Sequence, residues 1–416
     1  MSALKTTDIG LIPCEWDCVL FNEVAELRHG HQFRSYDFTI DGLKVVKITQ
    51  IKRNGTMNLS SCSFIESNRL EEFNDDIIYK GDILIALTGA TIGKIARYNS
   101  EEVVLQNYRV GNFFSKDENK LNRDYLFQFL RSNFFFHQIL ARQTQSAQQN
   151  IGKDEINNMD LFLPPLPEQK AIAKILTVFD DKIELLQAQN KTLETMTQTI
   201  FKEWFGKYGL DDELPKGWKH GVIGDVAVNH SNTFKFTDKK VVFVNTGDVL
   251  KGEFLHSDEV SPIGLPGQAK KIIELYDILY SEIRPKNKRF AFVDFDTSNY
   301  VVSTKFMIIR PKSDFSPFIL YLILKNQETI NEFNVIAESR SGTFPQITFD
   351  SVKDYPIVVP SFDAKEKFES ILKPIMDKQR VNRYQIQSLT KTRDTLLPKL
   401  MSGQVRVNNI KQTADA

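Results

Sequence analysis

LFLPPLPEQKAIAKIL at residues 161–176 returns, in altered letters, as IVVPSFDAKEKFESIL at residues 357–372. Pro164 matches Pro360 and Leu176 matches Leu372, each pair 196 positions apart. Extended without gaps, the match runs from 148–206 onto 344–402, where ten of fifty-nine pairs are identical. Identity that sparse carries little weight, so the hydrophobic pattern has to decide.

In the first copy Leu176, Ile183, Asn190, Thr197 and Trp204 fall seven apart, interleaved with Ile172, Phe179, Leu186, Leu193 and Ile200. This 3-4 alternation is a coiled-coil seam, with Asn190 as the polar interruption that fixes register. The second copy places Leu372, Gln379, Ile386, Arg393 and Leu400 beside Phe368, Ile375, Asn382, Leu389 and Leu396, a more polar seam that Arg393 weakens. Pro167, Glu168 and Gln169 read as a helix start, because proline is tolerated in the first turn and an acid suits the positive dipole end. The spacing predicts a first helix over 168–205, about 57 Å long at the α-helical rise, stopped by Gly206 and Gly209. A second begins near Asp363. Pro374 is expected to kink or split it, and Pro398 and Gly403 to end it.

An echo precedes each helix. PCEW at 13–16 resembles PKGW at 215–218. Between each tryptophan and its helix lie short β-type runs: LKVVKIT, DILIAL and EVVLQNYRV in the first copy, VVFVNT, DILYSEI and YVVSTKFMIIR in the second. A helical stretch follows in each, DYLFQFLRSNFFFHQIL and PFILYLILKNQETINEF. The expected fold is α+β: two globules of mixed strands and helices, each followed by a long helix. The helices pair as an antiparallel coiled coil with pseudo-two-fold symmetry. The boundaries are 1–165 and 208–361 for the globules, 166–207 and 362–403 for the helices, and 404–416 for a tail.

The totals bound the function. A chain of 416 residues is long for one core. Its 53 basic and 53 acidic residues cancel, whereas a chain that held nucleic acid alone and tightly would be basic. Local loops therefore carry the charge, or a partner supplies much of the affinity. No apolar run is long enough to span a bilayer, and MSALKTTDIG has no secretory h-region. The three cysteines, Cys14, Cys18 and Cys62, are too few for a disulfide framework, which fits a reducing cytoplasm.

LPPLPEQKAIAKIL, DDKIELL and LLPKLMSGQVRV resemble the helical spacers of the specificity subunit of type I restriction–modification enzymes, and GDILIALTGATIGK with the tryptophan starts resembles that family's target-recognition domains. The likeness covers nearly the whole chain. It implies a non-catalytic subunit that reads a bipartite, asymmetric site on double-stranded DNA and docks two methyltransferase subunits, joined by restriction–translocase subunits. It also implies that S-adenosylmethionine, ATP and magnesium belong to the partners, with no cofactor in this chain. The second copy departs from the pattern, since PSFDAKEKF lacks the PEQ core, so docking at the two ends is expected to be unequal.

Candidate DNA-contacting residues come from polar, basic loops, each with a solvated turn as its alternative use. In LRHGHQFRSY (27–36) they are His31, Gln32 and Arg34, since Arg can read guanine and Gln adenine. QIKRNGT (50–56) offers Lys52 and Arg53, although RNG also spells a hairpin turn. GATIGK (89–94) fails the phosphate-loop spacing; as a glycine turn it presents Thr88, Thr91 and Lys94 to a backbone. ARQTQSAQQN (141–150) and ESRSGTFPQIT (338–348) occupy one place in the repeat and contribute Arg142, Gln143, Gln145, Arg340, Ser341 and Thr343. EIRPKNKRF (282–290) packs Arg284, Lys286, Lys288 and Arg289 together. NTGDV (245–249) and STKF (303–306) are weaker candidates. For partner contact the expected surface is the exposed flank of the first helix: Gln187, Lys191, Glu194 and Lys202.

No catalytic or metal site is predicted. Cys14, Cys18, His29 and His31 are spaced too loosely for a zinc finger, and the cysteines are expected to pack near Trp16. Asp180 and Asp181 read as part of a solvated helix face. Two rival classes remain: a coiled-coil tether whose globules bind protein, and a self-sufficient nuclease or methyltransferase.

Overall fold

The computed structural model describes residues 3–407 except 53, 144–149, 210, 211 and 238, together with the backbone but not the side chain of Gln143. It divides into two compact units, Met1–Leu185 with Gln385–Ala416, and Leu186–Tyr384. The sequence boundaries treated each long helix as a segment of its own. By contacts, about half of each long helix falls in each unit.

In the first unit, one four-stranded sheet has the order Ser63–Ile65, Leu43–Val46, Val104–Gln106, Ile77–Ile78, with a parallel pair at its centre. The other runs Ala25–His29, Val110–Ser115, Ile83–Ala86, Ile95–Arg97, all antiparallel. The second unit repeats both. Its sheets are Glu259–Val260, Val241–Val244, Tyr300–Ser303, Ala269–Lys271, and Ala227–His230, Phe306–Pro311, Ile278–Ser281, Phe290–Phe292. Again the parallel pair joins the two central strands of the first-named sheet. The β-type runs of the sequence fall on these strands.

Each expected helical stretch is a pair of helices: Arg123–Leu130 with Asn133–Gln143, and Pro317–Lys325 with Gln327–Arg340. Asn122 and Ser316 cap the first helix of each pair by accepting the N–H of Tyr125 and Ile319. The DIL echo is structural as well. Asp82 accepts the N–H of Tyr79 and pairs with Arg123 at 2.5 Å, while Asp277 accepts that of Glu274 and pairs with Arg310 at 2.7 Å. Both aspartates are almost fully buried, so each needs its arginine.

The long helices are Leu166–Phe205 and Phe362–Met401. The second runs through Pro374 and Pro398 without a break, contrary to expectation. Pro374 lies on the exposed side, where water can satisfy the carbonyl it orphans, while Phe368 and Leu372 before it are fully buried and hold the helix. The helix ends where Gly403 takes a left-handed φ of 68°. A side chain there would collide with Pro13.

Arg393 does not weaken its seam, nor is Asp180 solvated. In the first unit the Asp180 carboxylate accepts from Arg393 at 2.8 Å, from Arg131 at 2.6 Å and from Gln128 at 3.0 Å, which ties both long helices to the globule. In the second unit the predicted polar interruption meets its own kind, Asn382 donating to Asn190 at 2.9 Å.

The PEQ motif now has a cause. Buried Gln169 accepts the N–H of Asn122 and donates to the carbonyls of Lys120 and Pro164. Glu168 accepts from the Trp16 indole at 2.9 Å and from Arg406 at 2.7 and 2.9 Å, and Arg406 also pairs with Glu15. The tryptophan start, the helix start and the GQVRV end therefore form one clasp. The second unit puts Ala364 and Lys365 at those positions and relies on aromatic packing, with Phe205 at 5.4 Å from Trp218 and 5.0 Å from Phe368. Near the first clasp, Cys18 packs against the core and burial pushes its thiol up to about 11, whereas Cys14 is exposed, contrary to expectation.

Candidate nucleic-acid interface

In the first unit, backbone hydrogen bonds knit four loops into one edge. His31 donates to Gln106, Tyr108 to His31, Leu87 to Arg109, and Ile151 to Leu87. In the second unit, Glu282 donates to Lys305 and Ile347 to Glu282, and the flanking bridge Ile283–Gln346 answers Thr88–Asn150. Arg109 and Lys305, and likewise Ile151 and Ile347, lie 196 positions apart. GATIGK and RPKNKR thus occupy the same hairpin tip in the two units, glycine-rich in one and basic in the other.

The tips differ in mechanics. Gly89 and Gly93 take positive φ, as the tight turn requires, and Thr91 donates to the Thr88 carbonyl. In the second unit Arg284 and Lys288 hold φ of 45° and 54°, a strained state for side-chain-bearing residues that persists only where surrounding structure enforces it. Arg284 is fixed by its N–H to Pro345, and Lys288 by its own N–H to Pro285.

The candidates separate by what their charged groups touch. His31, Gln32, Arg34, Arg284 and Thr343 face solvent. The His31 ring stands edge-on to Phe33 and Phe73 at 4.9 Å, with its Nδ1 4.0 Å from Asp76, whose carboxyl burial pushes up. Lys94 is half-buried and lines an open cleft with Asn54 and Arg131. Lys286 pairs with Glu338 at 3.2 Å, and Lys288 donates to Gln327. Arg340 is exposed and reaches Thr348, while Ser341 accepts the N–H of Phe344.

Three basic candidates are half-buried and tied to backbone carbonyls. Lys52 donates to the Thr49 carbonyl, Arg142 to those of Gln138 and Asn158, and Arg289 to those of Gly247 and Val249. Carbonyls supply the partners, and no sequence pattern announces them. Arg53, Gln145 and the Gln143 side chain lie outside the described residues.

The sequence reading overlooked Asn107, Tyr108 and Arg109, which sit in the middle of the knitted edge. Arg109 is exposed and donates to the Tyr108 hydroxyl at 2.7 Å. The repeat offset is the signal that points to them, since it lays this loop over the candidate STKF.

On the first long helix, Gln187, Lys191 and Lys202 are exposed. Glu194 shares a cleft with Lys191, but its carboxylate is engaged: Lys325 binds both its oxygens, at 2.7 and 2.9 Å. Burial raises the Glu194 carboxyl, but Lys325 outweighs it and holds the group below the usual range. Among the described residues no group of three or more His, Cys, Asp or Glu could hold a metal ion, and no helix is long and apolar enough to cross a membrane.

The fold is thus a doubled α+β unit whose equivalent loop tips carry unlike polar groups. Residues 13–195 and 215–391 each match the type I restriction modification DNA specificity domain. The chain belongs to that family, the specificity subunits of type I restriction–modification systems. It is 50% identical over 174 residues to the HindI specificity subunit of Haemophilus influenzae, a match spanning 41% of this chain and 38% of that protein. The MjaIX specificity subunit of Methanocaldococcus jannaschii is 24% identical over 442 positions, covering 98% of this chain and 97% of the relative. The crystal structure of an S subunit from M. genitalium shares the fold, with a TM-score of 0.61 at 16% identity, over 96% of this chain and 99% of that one.

Proposed function

We propose that this chain is the non-catalytic reader of a two-part, asymmetric site on double-stranded DNA, each unit reading one half. One observation carries the reading. Equivalent tips on equivalent sheets present different chemistry, GATIGK in one unit and RPKNKR in the other. Identical tips would suit a palindrome; unlike tips suit unlike half-sites. Arg284, Arg34 and Arg109 face solvent with the fork geometry that suits guanine edges and phosphates.

The chain's zero net charge supports a shared task, in which methyltransferase subunits supply part of the phosphate affinity. Two of them, joined by restriction–translocase subunits, would carry S-adenosylmethionine, ATP and magnesium and perform the chemistry in the cytoplasm. The exposed residues Gln187, Lys191 and Lys202 are the proposed docking flank. The long helices act as a ruler: duplicating one helical turn in each changes the spacing between half-sites and leaves their sequences intact. Unchanged spacing in such a variant removes the ruler.

The direct test is methylome sequencing of a strain carrying this chain with its methyltransferase, against one lacking the chain. Loss of a single two-part adenine-methylated motif is the expected result. No difference, with both proteins expressed and associated, favours globules that bind protein.

A further inference from the structure

The segment leaving strand Ala25–His29 reads HGHQFRSY (29–36), and the one leaving Ala227–His230 reads HSNTFKF (230–236). His29 and His230, Phe33 and Phe234, and Arg34 and Lys235 align 201 positions apart. In each unit the segment crosses from one four-stranded sheet to the other. Its backbone is anchored in both. His31 donates to Gln106 and accepts from Tyr108; Phe234 donates to Lys270, and Asn232 accepts from Ile272.

The aligned phenylalanines serve the fold. Phe33 is buried 5.1 Å from Phe73, and Phe234 is half-buried. The next positions do not. Arg34 and Lys235 are exposed, and shortly after each comes an outward aromatic, Tyr36 at 84% and Phe236 at 45% exposure. Tyr36 sits on a turn made rigid by Asp37, which accepts the Arg34 N–H at 2.7 Å and pairs with Arg69 at 3.0 Å. Phe236 is braced edge-on by Phe234, ring centres 5.1 Å apart.

An exposed aromatic forgoes the stabilisation that burial would give and adds an association hazard. In both copies an exposed ring stands close after the aligned cation, two positions after Arg34 in the first unit and one after Lys235 in the second. Folding does not account for that recurrence, so the use is external. A ligand that alternates anionic groups with flat apolar faces fits a cation next to a ring, and a nucleic acid is such a ligand. Bases stack on aromatic side chains, and apolar side chains wedge between the base steps of a duplex.

We propose that Tyr36 and Phe236 are paired stacking residues, each packing its ring against a base of the half-site read by its own unit while Arg34 or Lys235 holds the adjoining phosphate. The proposal rests on the DNA-reading function above. It assigns each unit one specificity-determining contact made through a π-face.

The test uses the full chain assembled with its methyltransferase and the duplex found by methylome sequencing, with 2-aminopurine placed stepwise through each half-site. Tyr36→Ala and Phe236→Ala should each weaken specific binding about tenfold or more and abolish the 2-aminopurine change in their own half-site only. The salt dependence of binding should stay as in the wild type. Tyr36→Phe, which keeps the ring, should bind within about twofold of wild type. Arg34→Ala and Lys235→Ala should instead lower the salt slope by about one. Tyr36→Ala should leave the melting temperature unchanged, because its ring is 84% exposed, and Phe236→Ala should lower it only slightly, through the lost contact with Phe234. Alanine variants that bind normally overturn the proposal, as do variants that lose methyltransferase association while the remaining complex binds DNA normally. A wild-type complex that fails to distinguish the target from a scrambled duplex overturns the DNA reading itself.

Discussion

Asp180 shows how one carboxylate sets the terms for three elements. Burial alone would raise it, but the charge of Arg131 and the hydrogen bonds from Arg131, Gln128 and Arg393 hold it below the usual carboxylate value. The native form therefore keeps its charge more readily than the unfolded chain. Its contribution is complete above about pH 4 and is lost as pH falls through the lowered native value. Asp180→Asn leaves the Arg131 guanidinium without its carboxylate and Arg393 with Asp394 alone, and should cost about 3 kcal/mol in the first unit. A thermal melt of the variant at pH 7 checks this, and the gap to wild type should shrink in acid. None of it was legible from the sequence. Asp180 and Arg393 sit far apart in the chain, and each read locally as an ordinary helix-surface charge or a seam defect. Glu194 misled in the same way, its partner Lys325 coming from another helix.

At the scale of elements, the long helices were the most legible feature, because a seven-residue period repeats over many turns and each turn adds to the signal. Pro374 was misjudged because propensity is a local preference, and the buried Phe368 and Leu372 override it. The hairpin tips were legible as charge but not as roles. Arg284 points outward from a strained backbone, whereas Arg289 in the same nine letters holds the carbonyls of Gly247 and Val249. The two should part in experiment. Arg284→Ala should weaken DNA binding across all sequences and lower the salt slope by about one, with little change in melting. Arg289→Ala should lower the melting temperature of the second unit and leave the slope alone. Equal slopes for Arg284→Ala and wild type would mean that the tip does not touch phosphate.

At the scale of the whole molecule, the doubled plan was readable because it is written twice, each copy marking which positions of the other carry the fold. The clasp joining Glu15, Trp16, Glu168 and Arg406 was not readable as one object, since its parts lie near residues 15, 168 and 406. Each part looked like a separate motif. Their common purpose appears only when the fold brings them together.

That clasp also orders events in time. The second unit is one uninterrupted stretch, Leu186–Tyr384, while the first needs Gln385 onward to complete its helix pair and supply Arg406. During synthesis, which proceeds at about 5–20 residues per second, the second unit can close as soon as it clears the ribosome. The unit begun first must wait for residues 385–406. Stalled nascent chains ending near residue 384 should therefore protect the second unit from protease and leave the first open, with the unpartnered start of its long helix a ready substrate for chaperones.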